Sequence, residues 1–253
     1  QFGDFVNNAQ GVIDELVVSA RDKWDQASGL VLLLPHGYEG QGPNHSHAHI
    51  ERFLALAAKN NIRIAYPTTA AQYFHLLRSQ AAMLQEEPLP LVVMTGKSLL
   101  RHPLAAAKCK QLSSGGFRPV IRYQKPGTRL EDVKRVVFCT GKVFYDLSKH
   151  RADEGIDDVA VVRVEQLAPF PHDAVMKYLA KYPGAEVVWC QEEPQNQGAW
   201  YQIRHHLQAC ISEQHELKYV GRTHSASPAV GSYVMHLEEQ KQLVNEAILP
   251  SQD

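Results

Sequence analysis

The chain alternates short, almost wholly apolar runs with longer amphipathic ones. Residues 6–24 carry Ile13, Leu16 and Val17 on one stripe at helical spacing and predict a helix that ends in a polar stretch. Apolar runs at 30–35, 62–66 and 89–95 have the length of strands, and the segments 50–60 and 70–84 between them have the period of helices. Unbroken apolar strands separated by amphipathic helices are what a parallel sheet covered on both faces requires, because both sides of each strand are buried. From 98 to 133 the alternation fails, and Pro103, Gly115, Gly116, Pro119, Pro126 and Gly127 accumulate. It restarts with strands at 135–139, 159–165 and 186–191, helices at 142–151, 173–182 and 199–211, and a closing helix at 234–248. The expected fold class is therefore α/β, with two modules, each a mainly parallel sheet flanked by helices. They occupy 1–97 and 134–253, joined by a connection at 98–133, and no internal repeat relates them.

Composition narrows the partners. An apolar fraction of 44% and a charged fraction of 21% are those of an ordinary globular protein with two cores to fill. Lys+Arg 26 against Asp+Glu 27 leaves a net charge of −1, so nothing draws the chain electrostatically to nucleic acid or to an anionic membrane. No apolar run approaches the roughly 20 residues that span a bilayer. Small molecules and protein surfaces are the expected partners. Cys109, Cys139, Cys190 and Cys210 form no C-x-x-C pair, so reduced, mostly buried thiols are expected, as in an intracellular protein. Gln1 stands where an initiator Met is absent, which suggests that an upstream region has been removed.

Chemistry concentrates where a strand is expected to end. In an open parallel sheet, ligands bind beyond the carboxyl ends of strands. Pro35-His36-Gly37-Tyr38-Glu39-Gly40-Gln41-Gly42-Pro43-Asn44-His45-Ser46 starts at such an end and holds two imidazoles, a carboxylate and three glycines. The glycine order is G-x-x-G-x-G, not the dinucleotide fingerprint G-x-G-x-x-G. A solvated surface turn would use the same residue types. Two histidines at one strand end tilt the reading towards a site, because imidazole transfers protons near neutral pH and its cation binds carboxylates. His45, His47 and His49 raise the question of a metal. Side chains two apart should not converge where a helix is starting, so no metal ligand is assigned.

Other loops carry weaker signals. Lys97, Arg101 and His102 follow the run 89–95 and suit either an anion or a solvated basic edge. Glu192 and Glu193, in Gln191-Glu192-Glu193-Pro194, are read as charging the start of the next helix or meeting a partner. Ser225-Ala226-Ser227-Pro228 weakly resembles a phosphate-cradling turn, and a helix entry explains it as well. No nucleophile elbow and no P-loop is present.

Several longer words resemble the E1 component family of 2-oxoglutarate dehydrogenase. They are Gln1-Phe2-Gly3-Asp4-Phe5, Leu33-Leu34-Pro35-His36-Gly37-Tyr38-Glu39-Gly40-Gln41-Gly42-Pro43 with His45-Ser46, and Lys97-Ser98-Leu99-Leu100-Arg101-His102-Pro103. Glu165-Gln166-Leu167 with Pro169-Phe170-Pro171, residues 191–200, and Ser225-Ala226-Ser227-Pro228-Ala229-Val230-Gly231 complete them. The resemblance runs along essentially the whole chain. It implies a transketolase-like protein, here the C-terminal part of a pyrimidine-binding domain followed by a transketolase C-terminal-like domain.

The resemblance also implies a reaction: decarboxylation of 2-oxoglutarate with thiamine diphosphate, then transfer of the succinyl unit to the lipoyl group of an E2 succinyltransferase. Phe2 and Phe5 would line the aminopyrimidine ring. His36 and His45 would be catalytic, and His36 with Lys97 would bind the 2-oxo acid. A homodimer is implied, in the bacterial cytoplasm or the mitochondrial matrix, with the bacterial setting favoured. Two departures matter. The activating glutamate and the Mg²⁺ and diphosphate ligands fall outside this chain, so alone it should be inactive. The family's His-Ser-Ser-Ala-Arg run stands here as His45-Ser46-His47-Ala48-His49. Two other readings stay open: a 2-oxoadipate enzyme, whose substrate differs by one methylene, and an inactive module that dimerises or docks E2.

Overall fold

A computed structural model describes residues 3–123, 130–211 and 216–249. In chain order the first part runs α1 (Gln10–Val12), α2 (Ala20–Trp24), β1 (Val31–Pro35), α3 (Pro43–Ser46), α4 (Ile50–Leu56), β2 (Arg63–Ala65), α5 (Ala70–Met83) and β3 (Leu91–Thr95). The second runs α6 (Cys109–Ser113), β4 (Val120–Tyr123), β5 (Arg135–Cys139), α7 (Val143–Asp153), β6 (Val159–Val164), β7 (Gln166–Ala168), α8 (His172–Leu179), β8 (Glu186–Pro194), α9 (Trp200–Cys210), β9 (Leu217–Arg222) and α10 (Tyr233–Ile248). Two sheets result, ordered β1-β3-β2-β7 and β4-β6-β5-β8-β9. Every pairing is parallel except those of β7 with β2 and β4 with β6. The mainly parallel α/β class follows from the apolar runs: every residue of β5 and β6 is buried, as strands covered on both faces must be.

β4, β7 and β9 were not read from the hydrophobic pattern. They are short edge strands, and pairing with a distant neighbour, rather than their own composition, makes them strands. β4 lies inside the stretch 98–133 yet belongs to the second sheet. β7 follows β6 but completes the first sheet, beside β2. The sheets also share one apolar cluster, in which Ile64, Tyr66 and Val92 join Phe138, Val162 and Trp189.

The helix expected over 6–24 is broken into a 3₁₀ turn (Gly3–Ala9), α1, a π turn (Ile13–Val17) and α2. Gly11 weakens its middle. The Ser19 hydroxyl then donates to the carbonyls of Asp14 and Glu15, at 2.6 and 2.9 Å, competing with the backbone ladder. Elsewhere the helix starts follow from local chemistry: the Thr69 and Ser232 side chains accept the backbone N–H of Gln72 and Met235 at the starts of α5 and α10.

Thr68 locks the two parts together. Its N–H donates to Glu165 at 2.9 Å, its carbonyl accepts from the Tyr145 hydroxyl at 2.7 Å, and its hydroxyl also contacts Glu165 and Arg163. Burial pushes the Glu165 carboxyl up, and the guanidinium of Arg163 opposes that push. Gly141 closes the packing beneath the site. It has φ +74, and a Cβ there would sit 2.3 Å from the Tyr66 ring. Among the described residues no helix is long and apolar enough to cross a membrane. Cys139 and Cys190 are buried free thiols, while Cys109 is exposed.

Candidate active site

The Gly-rich loop begins where β1 ends, as the sequence suggested, and His36 is its anchor. The His36 N–H continues the sheet ladder to the Thr95 carbonyl at 3.0 Å. Its own carbonyl accepts from the Tyr66 hydroxyl at 2.6 Å. The ring is 1% exposed. Nδ1 accepts the Ala48 N–H at 3.1 Å, so the proton lies on Nε2, which donates to Glu193 across 2.6 Å. Burial alone would raise the Glu193 carboxyl, but the bond from His36 and the neighbouring imidazoles bring it below the ordinary carboxylate value.

This placement corrects the reading of Glu192 and Glu193 as charges at a helix start. β8 continues through Pro194, and α9 starts only at Trp200, so both acids lie inside the molecule. The ladder to β9 shifts register between Cys190 and Pro194, a strand-end irregularity that re-aims successive side chains. Glu193 turns to His36. Glu192 turns the other way, to Lys142 at 2.5 Å and Gln240 at 2.9 Å. Burial outweighs the Lys142 charge and pushes the Glu192 carboxyl up to about 7. A paired acidic run directly after an apolar strand was the only available signal, and it also fits a helix start.

His47, His49 and Glu51 form the next layer. The sequence argument that residues two apart diverge fails because His49 is left-handed, with φ 54 and ψ 56. The chain turns there, and the two rings come within 4.6 Å of each other. Glu51 lies 3.1 Å from both His47 Nε2 and His49 Nδ1, and it accepts the Gly198 N–H from the second part at 3.1 Å. Burial would raise its carboxyl, yet the bonds to the two imidazoles hold it well below the usual range. Burial lowers the His47 imidazole. The His36 and His47 rings are 4.9 Å apart, so the two layers touch.

His45, on α3, is partly exposed; its Nδ1 accepts from Lys97 Nζ at 2.8 Å. Glu39 accepts from the Ser98 N–H and hydroxyl at 3.1 and 3.0 Å, which ties the loop to the segment after β3. His45 and Lys97 are thus brought together at one rim, and His36 lies inward of it. Arg101 and His102 go elsewhere, to a cavity of about 650 Å³ shared with Leu99, Leu100 and Tyr73. Phe5 is 51% exposed on the 3₁₀ turn, and Phe2 lies outside the described residues. Ser225 is pinned to Asn196 by a reciprocal pair of 2.9 Å bonds rather than open to a phosphate.

An α/β pair of modules with a polar site at the strand ends is the arrangement of a transketolase-like protein, and residues 1–103 match the family model "Transketolase, pyrimidine binding domain". Residues 106–248 match "2-oxoglutarate dehydrogenase C-terminal", and the chain belongs to that family. It is 53% identical over 248 residues to the 2-oxoglutarate dehydrogenase E1 component of Cupriavidus necator, covering 98% of this chain and 26% of that protein. The E1 components of Haemophilus influenzae and Azotobacter vinelandii are 51% and 47% identical, again with 26% of their length covered. The chain spans about a quarter of the curated relatives it matches.

Proposed function

We propose that this chain supplies the substrate-facing wall of a 2-oxoglutarate dehydrogenase E1 component, which decarboxylates 2-oxoglutarate with thiamine diphosphate and passes the succinyl unit to the lipoyl group of E2. One observation carries the reading: the loop after β1 and the end of β8 meet through the His36–Glu193 bond, so both sheets contribute to one buried polar site. The cofactor supplies, when bound, the electron sink that lets a 2-oxo acid lose CO₂. Phe5, a flat aromatic side chain on the 3₁₀ turn in a residue that is 51% exposed, is of the type that lines its pyrimidine ring. Phe2 is assigned to the same ring.

Magnesium finds no fitting ligand group among the described residues. The three-ligand group among the described residues, His47, His49 and Glu51, is rich in nitrogen, whereas Mg²⁺ demands an octahedron of oxygens. Its ligands are assigned outside the chain.

Within the wall the roles divide by access. His45 and Lys97, paired at 2.8 Å on the rim, bind a carboxylate and hold a proton at His45 Nε2. His36 has both ring nitrogens engaged, so it positions the loop and relays charge to Glu193 rather than exposing a bare nitrogen. A homodimer, the E2 contact and a cytoplasmic setting belong to the same proposal.

The test uses the full-length enzyme. Lys97→Ala should raise KM for 2-oxoglutarate by roughly tenfold or more, the scale of losing one charge-assisted bond. His36→Ala should reduce decarboxylation by well over tenfold. Near-normal kinetics in both variants would remove this wall from the mechanism. A KM for 2-oxoadipate at or below that for 2-oxoglutarate would move the substrate instead.

A further inference from the structure

We infer that His47, His49 and Glu51 form a binding site for one divalent transition-metal ion of the zinc, cobalt and nickel type. The ligand-capable atoms of the three residues lie within 4.8 Å of one another. His47 Nε2 and His49 Nδ1 each lie 3.1 Å from Glu51, close to the roughly 3.4 Å that separates two ligands of a tetrahedral ion with bonds of about 2.1 Å. Two imidazoles and one carboxylate are the donor set of borderline metals, and three protein ligands leave a coordination position open.

The surroundings favour an ion over a mere hydrogen-bonded trio. His47 is fully buried, and its Nδ1 has no hydrogen-bond partner. Without an ion, Nε2 donates to Glu51; an ion that takes the Nε2 lone pair replaces that one bond and shifts the proton to Nδ1, which has no partner to lose. Glu51 is braced by the Gly198 N–H from the second module, the outer-shell contact that orients a ligating carboxylate. The left-handed backbone of His49 places the third ligand. His172 and His206, whose nitrogens lie 3.1 Å apart in the pocket lined by Leu54 and Ala57, lack such a third ligand among the described residues. The inference does not depend on the catalytic reading.

The experiment is a Co²⁺ titration of the metal-stripped protein, followed by visible absorption and by competition with a chromophoric chelator. The wild type should bind one equivalent and develop d–d bands. His49→Asn, which keeps the left-handed backbone within reach of a residue that tolerates it, should bind at least tenfold more weakly, while His172→Ala should bind as the wild type does. Equal affinity in His49→Asn, or loss of binding in His172→Ala, would overturn the site. A second readout needs no variant: Co²⁺ should protect His49 from diethyl pyrocarbonate, and unchanged labelling of His49 at saturating metal would also overturn it.

Discussion

Glu192 and Glu193 leave the same strand end and meet opposite fates. Glu193 crosses to the first module, where the donated Nε2–H of His36 and the imidazoles behind it stabilise its charge. Glu192 stays in its own module between Lys142 and Gln240, where burial dominates and brings its carboxyl up to about 7. Adjacent carboxylates of equal burial thus differ in charge near neutral pH because each points at a different module. Burial alone does not set a buried acid's state; the donors that reach it do.

The sharpest way to break this comparison is to remove each acid. Glu193→Ala leaves His36 Nε2–H without an acceptor in a buried site, and it should lower unfolding free energy by roughly 3–5 kcal/mol. Glu192→Ala should cost about half as much, because Lys142 keeps Asp146 as a nearby opposite charge. Urea midpoints for the two variants decide it; equal losses would erase the distinction.

The next effect is a pH dependence with a definite sign. The Glu192 carboxyl sits above its ordinary value of 4.5, at about 7, so folding favours its neutral form. Its contribution is most favourable below about pH 4.5 and declines as the pH rises through about 7, by no more than about 3 kcal/mol. An infrared carboxyl band should disappear over that interval, and Glu192→Gln should abolish both the band and the slope. A band already absent near pH 5 would place Glu192 with Glu193.

The smallest effect sharpens the Glu193 side alone. Gly141→Ala forces a Cβ against the Tyr66 ring at a left-handed position, and Tyr66 holds the His36 carbonyl. A loss of about 2 kcal/mol is expected. The Glu192 infrared band should stay where it is, since that carboxyl contacts neither group.

The sequence alone determined much of the frame. Runs such as 135–139 and 159–164 are buried on both faces, so their apolar content reports their state directly, and the loop at His36 followed because it begins where such a run ends. What only the tertiary structure decided is contact between segments far apart in the chain. Pairing made strands of β4 and β7, and Ser19 broke a helix that periodicity alone would have continued. The same holds for the site. His36 was conspicuous by its neighbours in sequence, but its acceptor lies 157 residues away. Glu193 looked like a helix-start acid because a carboxylate's role is set by the donors it meets, and its donor, His36, belongs to the other module.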